Sequence, residues 1–208
     1  NSSDLSNEIK ENIALNPTAS LDFSNPTSPS VLGNPTEGAL LLWLHNKGID
    51  YEALREQARV VEELPFTTER KFMATIVESV LMPGKRMLYV KGAPEIVYAL
   101  CASTSGTPPQ AEVYAQLTQY QQRAMRTLAF ACKDVTDTPS LSQHLTTSPS
   151  QLRFLGIAAI ADPVRKEVPE SIKECLKAGI NVKIVTGDTA ETAKEIGRQV
   201  GLWTCLLY

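Results

Sequence analysis

The stretch FMATIVESVLMPGKRMLYV, residues 72–90, contains two runs rich in β-branched, aromatic and other apolar residues. Met82-Pro83-Gly84-Lys85 separates the runs, and Pro followed by Gly is a strong turn signal. Two such runs around a short turn are typical of neighbouring antiparallel strands. Further runs of the same kind lie at residues 60–66 and 128–135. We therefore predict an antiparallel sheet built from these segments.

Helix signals flank the sheet on both sides in the sequence. Asn34-Pro35-Thr36-Glu37 has the residue types preferred at a helix start, so a helix is predicted to begin there and to end near Gly48. A second helix is predicted from Pro94 to about Cys101, and a longer one over residues 109–126. The first 33 residues are rich in Asn, Ser, Thr and Pro, which predicts loop with one short element.

The C-terminal part of the chain has a different pattern. Residues 152–161 form a near-continuous apolar run and residues 182–185 a second, shorter one, which is typical of strands buried on both faces. Helical patterns follow them at 169–178 and 189–200, and a glycine ends each one. The order predicts a βαβα unit with a parallel sheet.

The predicted fold class is therefore α/β in two parts. Residues 1–151 are expected to form an α+β domain with an antiparallel sheet and flanking helices. Residues 152–208 are expected to form a partial Rossmann-like parallel βαβα segment. A Thr-, Ser- and Pro-rich linker at 137–151 leads to the boundary.

Composition excludes several classes of protein. The chain has 208 residues, a net charge of −3 and 43% hydrophobic residues, as expected of a globular protein. No run approaches the roughly 20 apolar residues of a membrane-spanning helix. There is no Lys/Arg block, so no nucleic-acid partner is predicted. The four cysteines form no Cys-x-x-Cys pair, which indicates free thiols, and the absence of an initiator Met suggests a piece of a longer protein.

Two polar clusters follow the predicted strands of the C-terminal part. Thr186-Gly187-Asp188 comes after the strand at 182–185, where small side chains and helix N-terminal amides favour a phosphate. Asp188 as a simple helix N-cap is the alternative interpretation. Asp162 and Arg165 follow the strand at 152–161 and either lock a turn or face the same site. Ligands of parallel sheets bind at this edge, so the two clusters together indicate more than either alone.

Three residues of the N-terminal part are also candidates. Lys91 ends an apolar strand before Gly92 and either projects into a pocket or lies in solvent. Phe66 follows a proline and is interpreted as a core or hairpin aromatic rather than a stacking platform, and Glu37 is explained by capping-box chemistry. Neither a P-loop nor a Gly-x-Gly-x-x-Gly motif is present.

Six motifs in a fixed order give the chain a recognisable likeness. They are Gly33-Asn-Pro-Thr-Glu-Gly-Ala39, Phe66 with Arg70-Lys-Phe-Met73, Val90-Lys-Gly-Ala-Pro-Glu95, Arg126-Thr-Leu-Ala129, Asp162-Pro-Val-Arg165 and Val185-Thr-Gly-Asp188. In this order they resemble P-type cation-transporting ATPases, most closely the calcium-pumping subgroup. The resemblance implies a nucleotide-binding (N) domain at 1–151 and part of a haloacid-dehalogenase-like (HAD-like) phosphorylation (P) domain at 152–208.

The resemblance also implies roles for particular residues. Phe66 would stack on adenine, Lys91 would line the pocket floor, and Arg126 would reach the phosphates. The implied ATP-binding set is Glu37, Phe66, Lys71, Met73, Lys91, Gly92, Arg126, Asp162 and Arg165, and the implied phosphoryl-site set is Thr186, Gly187 and Asp188. Thr68 stands where calcium pumps often carry an arginine that the resemblance would assign to a phosphate contact.

The cofactors implied are ATP and Mg²⁺, the latter with ligands mostly outside this chain. The parent would couple ATP hydrolysis, through an aspartyl phosphate, to cation transport, with calcium as the expected cation. Its other partners would be the remaining P, actuator and transmembrane domains, at the cytoplasmic face of the membrane. The transported cation is not expected to bind this fragment.

The nucleophile of that reaction is missing from the sequence. The family's Asp-Lys-Thr-Gly-Thr motif is absent, and Asp134-Val-Thr-Asp-Thr138 is rejected because it lacks the Lys and Gly. The fragment alone is therefore predicted to be inactive. A freestanding HAD-like phosphatase with a cap domain is an alternative, but residues 1–33 contain only Asp4 and Asp22, neither followed by the required Thr. A non-catalytic nucleotide-sensing module is a third interpretation.

Overall fold

A computed structural model describes most of the chain. The described residues are 6–25, 29–101, 105–138, 140–145, 151–161, 164–165, 167–186 and 190–203. Two compact units are present, one formed by Asn1–Pro108 with Leu128–Ala158 and the other by Pro109–Thr127 with Ala159–Tyr208. The predicted division into residues 1–151 and 152–208 stays a prediction. None of the described helices has both the length and the apolar character that a membrane span requires.

The secondary structure alternates between helices and strands along the chain. In chain order the described elements are α1 (Asn7–Leu15), β1 (Ser20–Asp22), β2 (Ser30–Leu32), α2 (Pro35–Asn46), α3 (Tyr51–Gln57), β3 (Arg59–Leu64), β4 (Phe72–Glu78), β5 (Arg86–Gly92), α4 (Pro94–Cys101), α5 (Gln110–Gln121), β6 (Arg126–Asp134), α6 (Leu141–Leu145), β7 (Arg153–Ile160), α7 (Val168–Lys177) and α8 (Ala190–Gln199). This mixture confirms the predicted α/β class.

The first unit is built on a five-stranded sheet in the order β3-β4-β5-β6-β7. The pairings of β3 with β4, β4 with β5 and β5 with β6 are antiparallel, as the sequence predicted. At one end of the sheet, Gly92 pairs with Phe72 on β4 and with Ala129 on β6. The turn at 65–71, which joins β3 to β4, lies at this same end of the sheet, next to the last residues of β5.

Both faces of the sheet are covered. On one face, Ala74, Ile76 and Leu88 pack with Val97 and Cys101 of α4, and all five are completely buried. On the other face, Val77 and Tyr89 belong to a second buried cluster that includes Cys132 of β6. Because β4 and β5 are buried on both faces, they read as continuous apolar runs rather than as alternating ones.

Helix α1 is the element that the sequence described least well. Its Glu11 is completely buried and accepts hydrogen bonds from Ser79 Oγ, the amides of Val80 and Leu81, and Tyr89 Oη, at 2.7, 2.7, 2.7 and 2.5 Å. The neighbouring Asn12 donates to the carbonyls of two strands. The prediction of loop with one short element for the first 33 residues missed this core helix, because polar residues in a helix ordinarily indicate a solvated face.

The start of α2 confirms its sequence signal. Asn34 is the N-cap, and its Oδ1 accepts hydrogen bonds from the amides of Thr36 at 2.9 Å and Glu37 at 3.3 Å. Pro35 occupies the first helical position, where its missing N–H costs nothing. The predicted end near Gly48 is also confirmed, since α2 ends at Asn46.

The second unit contains the helices α5, α7 and α8. Helices α5, α7 and α8 confirm the predicted helices, although α5 ends at Gln121 rather than near 126. The predicted strand at 182–185 is wrong, because residues 181–186 belong to no helix or strand, and Val185 is 96% exposed. The parallel βαβα unit is therefore not formed by the described residues. An apolar run becomes a strand only when a neighbour satisfies its backbone groups, and the predicted partner, β7, lies in the five-stranded sheet.

Candidate functional site

A buried ion pair lies near the end of the central strand of the first unit. Lys91 Nζ on β5 donates to Glu37 Oε1 at the start of α2. The two side chains are only 5% and 11% exposed, although 54 residues separate them in the sequence. The interpretation of Lys91 as a solvated strand-end lysine is therefore wrong.

The second oxygen of Glu37 is held by a backbone segment. Glu37 Oε2 accepts hydrogen bonds from Thr18 N at 2.8 Å, Thr18 Oγ1 at 3.0 Å and Ala19 N at 3.2 Å. With Lys91 on Oε1, the carboxylate has four donors, three of them on Oε2. The capping-box interpretation of Glu37 is wrong, because its side chain bonds to Thr18, Ala19 and Lys91, which are all distant from it in the sequence.

Burial and pairing act in opposite directions on the two charges. For Glu37, burial disfavours the carboxylate, but Lys91 and the Thr18 donors outweigh it, so the pKa of Glu37 lies below its usual value. For Lys91, burial disfavours the ammonium and exceeds the opposing effect of Glu37, so the pKa of Lys91 is lowered. Perturbed pKa values cluster at binding and catalytic sites, and structural ion pairs produce them as well.

Gly92 and Lys71 make a close backbone contact beside the ion pair. A Cβ atom on Gly92 would lie 2.4 Å from the carbonyl oxygen of Lys71 and 2.5 Å from Phe72 Cβ, so only glycine fits. Ala93 N donates to the same Lys71 carbonyl at 2.9 Å. Lys71 itself has a φ of 59°, an uncommon backbone conformation for a residue with a side chain. Such strain often persists where the surrounding structure needs it for function.

Met73 and Phe66 occupy contrasting environments near this end of the sheet. Met73 is buried and is the cross-strand partner of Lys91. Phe66 is 56% exposed, so it is not a core aromatic. It lies in the turn after β3, where Arg70 Nη1 donates to the Pro65 carbonyl at 2.6 Å and Lys71 N to the Thr67 carbonyl at 2.8 Å. The turn is thus ordered by its own hydrogen bonds while its aromatic ring faces water.

The remaining predicted residues have separate placements. Arg126 is the half-buried first residue of β6, three positions before Ala129, the partner of Gly92. Arg165 is exposed, and its carbonyl accepts from Val168 N at 3.0 Å. Thr186 is exposed at the end of the extended stretch 181–186. Asp162, Gly187 and Asp188 lie outside the described residues.

The described residues fit one of the two implied cofactors better than the other. An exposed aromatic ring, a desolvated lysine and an exposed Lys71 suit the base end of a nucleotide. For Mg²⁺, no group of three or more His, Cys, Asp or Glu side chains lies close enough to hold a metal ion within the described part of the chain. No step of the reaction can be derived through Mg²⁺ from these residues.

Sequence reasoning missed the groups that hold Glu37. Thr18 and Ala19 act mainly through backbone amides, which every residue carries, so no residue type could identify them. Arg55 of α3 was missed as well, although its guanidinium binds three carbonyls of the same segment. The only available signal was that an arginine on a short helix has no acidic partner at helical spacing on its C-terminal side.

Comparison with known proteins gives one family match and many relatives. Residues 4–167 match the family model described as P-type ATPase, cytoplasmic domain N. The chain is similar to calcium-transporting ATPase of Bacillus subtilis, 38% identical over 180 residues, and to calcium-transporting ATPase 1 of Lactococcus lactis, 35% identical over 189 residues. These alignments cover 82% and 87% of this chain but 20% and 21% of the relatives. A plasma membrane-type calcium-transporting ATPase 2 of Arabidopsis thaliana is 35% identical over 184 residues, 84% of this chain and 18% of its own. The chain thus spans about a fifth of the length of these relatives.

Proposed function

The chain belongs to the P-type ATPase family, as its cytoplasmic N domain, and on this premise we propose that it binds ATP for a calcium-transporting pump. Calcium is named as the transported cation for the relatives, and it comes to this chain as part of the proposal. The pump would act at a membrane, with this domain on the cytoplasmic side and the actuator, transmembrane and remaining P segments in the same polypeptide.

The observation that carries the proposal is the buried Glu37–Lys91 pair. The free energy needed to remove two charges from water can exceed the energy of their attraction, so a buried ion pair contributes little to stability by itself. The pair lies beside Lys71, whose backbone is strained, and beside Gly92, where only a glycine fits. This combination suggests that the fold keeps the ion pair for binding. A polar ligand that enters here meets an ammonium already stripped of water.

Phe66 is proposed to supply the apolar part of the binding energy. Stacking of a base on an aromatic ring contributes about 1–3 kcal/mol. Charge-assisted hydrogen bonds from lysines add roughly 1.5–3 kcal/mol each, and association costs several kcal/mol. The balance corresponds to a dissociation constant in the roughly millimolar range. Arg126, Asp162 and Arg165 are proposed as further ATP-binding residues, and Thr186, Gly187 and Asp188 as phosphoryl-site support, by their motifs.

Chemistry beyond binding is proposed for the parent pump only. There an aspartate outside this chain would attack the γ-phosphate in line, ADP would leave, and water would later hydrolyse the acyl phosphate. Mg²⁺ would neutralise phosphate charge when bound with ATP. The chain studied contributes the nucleotide site, so the isolated chain is expected to bind ATP without hydrolysing it.

An NMR titration of the ¹⁵N-labelled chain with ATP tests the proposal. Amide shifts are expected for Phe66, Lys71 and Lys91. Phe66→Ala is expected to weaken binding about tenfold by removing the stacking surface. Tyr114→Ala, which removes another exposed aromatic from α5, is the matched control and should leave the affinity unchanged. An absence of shifts at these three residues at tens of millimolar ATP would overturn the proposal.

Hydrolysis is measured separately by phosphate release. The wild-type chain is expected to release no phosphate above the background with Mg²⁺ and ATP. Turnover that survives in the Asp134→Ala and Asp137→Ala variants would show that an unrecognised nucleophile lies in the chain.

A further inference from the structure

We infer that Arg55 is a positioning residue for the proposed ATP site, acting on Glu37 through the backbone of residues 14–19. The role in ATP binding rests on the proposed function, whereas the positioning of Glu37 does not. Arg55 lies on α3, outside every motif that the resemblance to P-type ATPases involves.

Arg55 binds one side of the segment through three carbonyls. Its Nε donates to the Ala14 carbonyl at 2.7 Å, and its Nη2 donates to the carbonyls of Ala19 at 2.9 Å and Pro17 at 3.5 Å. The planar guanidinium presents its donors in a fixed fork, so the three carbonyls must converge to meet it. A lysine in this position would present its three N–H groups from a single nitrogen, without the separation between Nε and Nη2 that the guanidinium uses.

The same segment binds Glu37 with its opposite side. The Pro17 carbonyl and the Thr18 N–H belong to one peptide unit, whose C=O and N–H point in opposite directions because the unit is planar and trans. Arg55 binds the carbonyl end, and Glu37 Oε2 accepts from the N–H end at 2.8 Å. A cation at the negative end and a carboxylate at the positive end both favour the same orientation of the peptide dipole.

Tyr51 stabilises the position of Arg55. Four residues earlier on α3, it lies on the same helix face, and the Arg55 guanidinium carbon is 4.9 Å from its ring centroid. Tyr51 Oη also accepts a hydrogen bond from Leu21 N at 2.9 Å. One face of α3 thus holds residues 14–21, and those residues present Thr18 and Ala19 to Glu37.

The consequence for Lys91 follows from the hydrogen bonds of Glu37. With three donors on Oε2, the carboxylate is fixed so that Oε1 meets Lys91. If residues 14–19 loosen, Glu37 loses the donors that orient it, and the Lys91 ammonium loses a fixed partner. ATP would then have to order Glu37 and Lys91 as it binds, and the free-energy cost of that ordering would reduce the affinity.

The first experiment needs no nucleotide. Hydrogen exchange by NMR is followed at Thr18 and Ala19 in the full chain and in Arg55→Met, which keeps the apolar stem and removes the donors. Exchange of both amides is expected to accelerate about tenfold, while the amides of Ala74 and Leu88 in the sheet stay protected. Arg55→Lys should fall between the two, and it serves as the test variant if Arg55→Met does not fold.

The second experiment separates positioning from a general loss of stability. Tyr89→Phe removes one hydrogen bond to Glu11 on the sheet side of α1 and is the control of comparable stability cost. Arg55→Met is expected to weaken ATP binding about tenfold, whereas Tyr89→Phe should not. In the Glu37→Gln background, Arg55→Met should cause less than about a twofold further loss, since both substitutions act on the same carboxylate.

The outcomes distinguish the inference from the proposed function. Unchanged exchange at Thr18 and Ala19 in both Arg55 variants would overturn the positioning role, whether or not ATP binds. Additive losses from Arg55→Met and Glu37→Gln, or an equal loss in Tyr89→Phe, would overturn the link to the ATP site. If the wild-type chain binds no ATP, the proposed function fails, and the exchange experiment still decides the role of Arg55 on Glu37.

Discussion

The two units use similar apolar sequences in different ways. In the first unit, Val90 and Ile76 are completely buried within the five-stranded sheet. In the second, α7 has no buried residue among those described. Several large apolar side chains of the second unit are exposed by 40% or more, namely Leu176, Ile180, Ile184, Val185 and Trp203.

The difference lies in where each strand finds its partner. Strands β4 and β5 are joined by a short turn, so each supplies the other's backbone hydrogen bonds from nearby in the sequence. Among the residues that the structure describes, no strand pairs with the run at 182–185, and the run forms no strand itself, although its composition is that of one. Apolar character alone therefore does not produce a sheet, because a strand also needs a partner for its backbone groups.

The largest expected contrast between the units comes from placing a charge at one valine in each. Val90→Asp buries an unpaired carboxylate and is expected to cost more than about 4 kcal/mol, enough to remove the dispersed amide signals of β4 and β5. Val185→Asp changes a side chain that is 96% exposed and should stay within about 0.5 kcal/mol. Urea denaturation followed by NMR measures both. A folded Val90→Asp variant with wild-type stability would contradict the contrast.

Thiol reactivity gives the next contrast. Burial raises the pKa of Cys101 to about 12 and that of Cys132 to about 11, and both thiols are buried in the first unit. Cys175 on α7 is only half-buried. In a Cys205→Ser background, Cys175 is expected to react with Ellman's reagent at pH 8 at least about a hundredfold faster than the other two.

Cys175→Ser is the control for that measurement and should abolish the fast phase. Three thiols that react at one rate would mean that the first unit opens as readily as the second.

A smaller contrast is expected between ion pairs. Glu37→Gln leaves the Lys91 ammonium buried without its partner, which is expected to cost about 2 kcal/mol, below the full value for a buried pair because Glu37 keeps some access to water. Lys173→Gln breaks the exposed pair with Glu170, whose side chains are 60% and 68% exposed, and should change stability by less than about 0.5 kcal/mol. Equal effects in thermal denaturation would show that burial of the first pair has no energetic consequence.

The smallest contrast is in the acid range. The pKa of Glu37 is lowered in the folded state, so its contribution to stability is present above its ordinary value of 4.5 and is lost as the pH falls through the folded value. The stability difference between wild type and Glu37→Gln is therefore expected to be largest near neutrality and to disappear in strong acid, when both side chains are neutral. Lys173→Gln should differ from wild type too little at any pH for a convergence of this size to be measured, since its pair with Glu170 is exposed. A difference that grows as the pH falls would reverse the sign of this argument.

The fold was predictable where the decisive interactions are local. Asn34 caps α2 through amides two and three residues away, and the strands at 72–78 and 86–92 meet across a short turn. The strand at 182–185 was predicted wrongly because its formation depends on a partner that no local pattern identifies.

The candidate site was predictable only in part for the same reason. The motifs pointed to Glu37 and Lys91, but not to their direct pairing, since the residues lie 54 positions apart and each also has a local interpretation, which proved wrong. Thr18, Ala19 and Arg55 contribute through backbone groups or bind them, so their roles depend on the folded path of the chain. Gly92 could be named from its motif. The contact with Lys71 and Phe72 that excludes a side chain there depends on the folded path of the chain and could not be predicted.

The Glu11 site of α1 has a consequence for behaviour in salt. The four groups that donate to this buried carboxyl are two hydroxyls and two amides, none of which carries a formal charge. Mobile ions weaken attraction between exposed charges over about 10 Å at 0.1 M ionic strength, but they have little access to short hydrogen bonds in a dry interior. The hydrogen bonds between Glu11 of α1 and the sheet should therefore persist at salt concentrations that weaken the exposed ion pairs. High ionic strength is then expected to destabilise surface contacts while these buried hydrogen bonds stay intact.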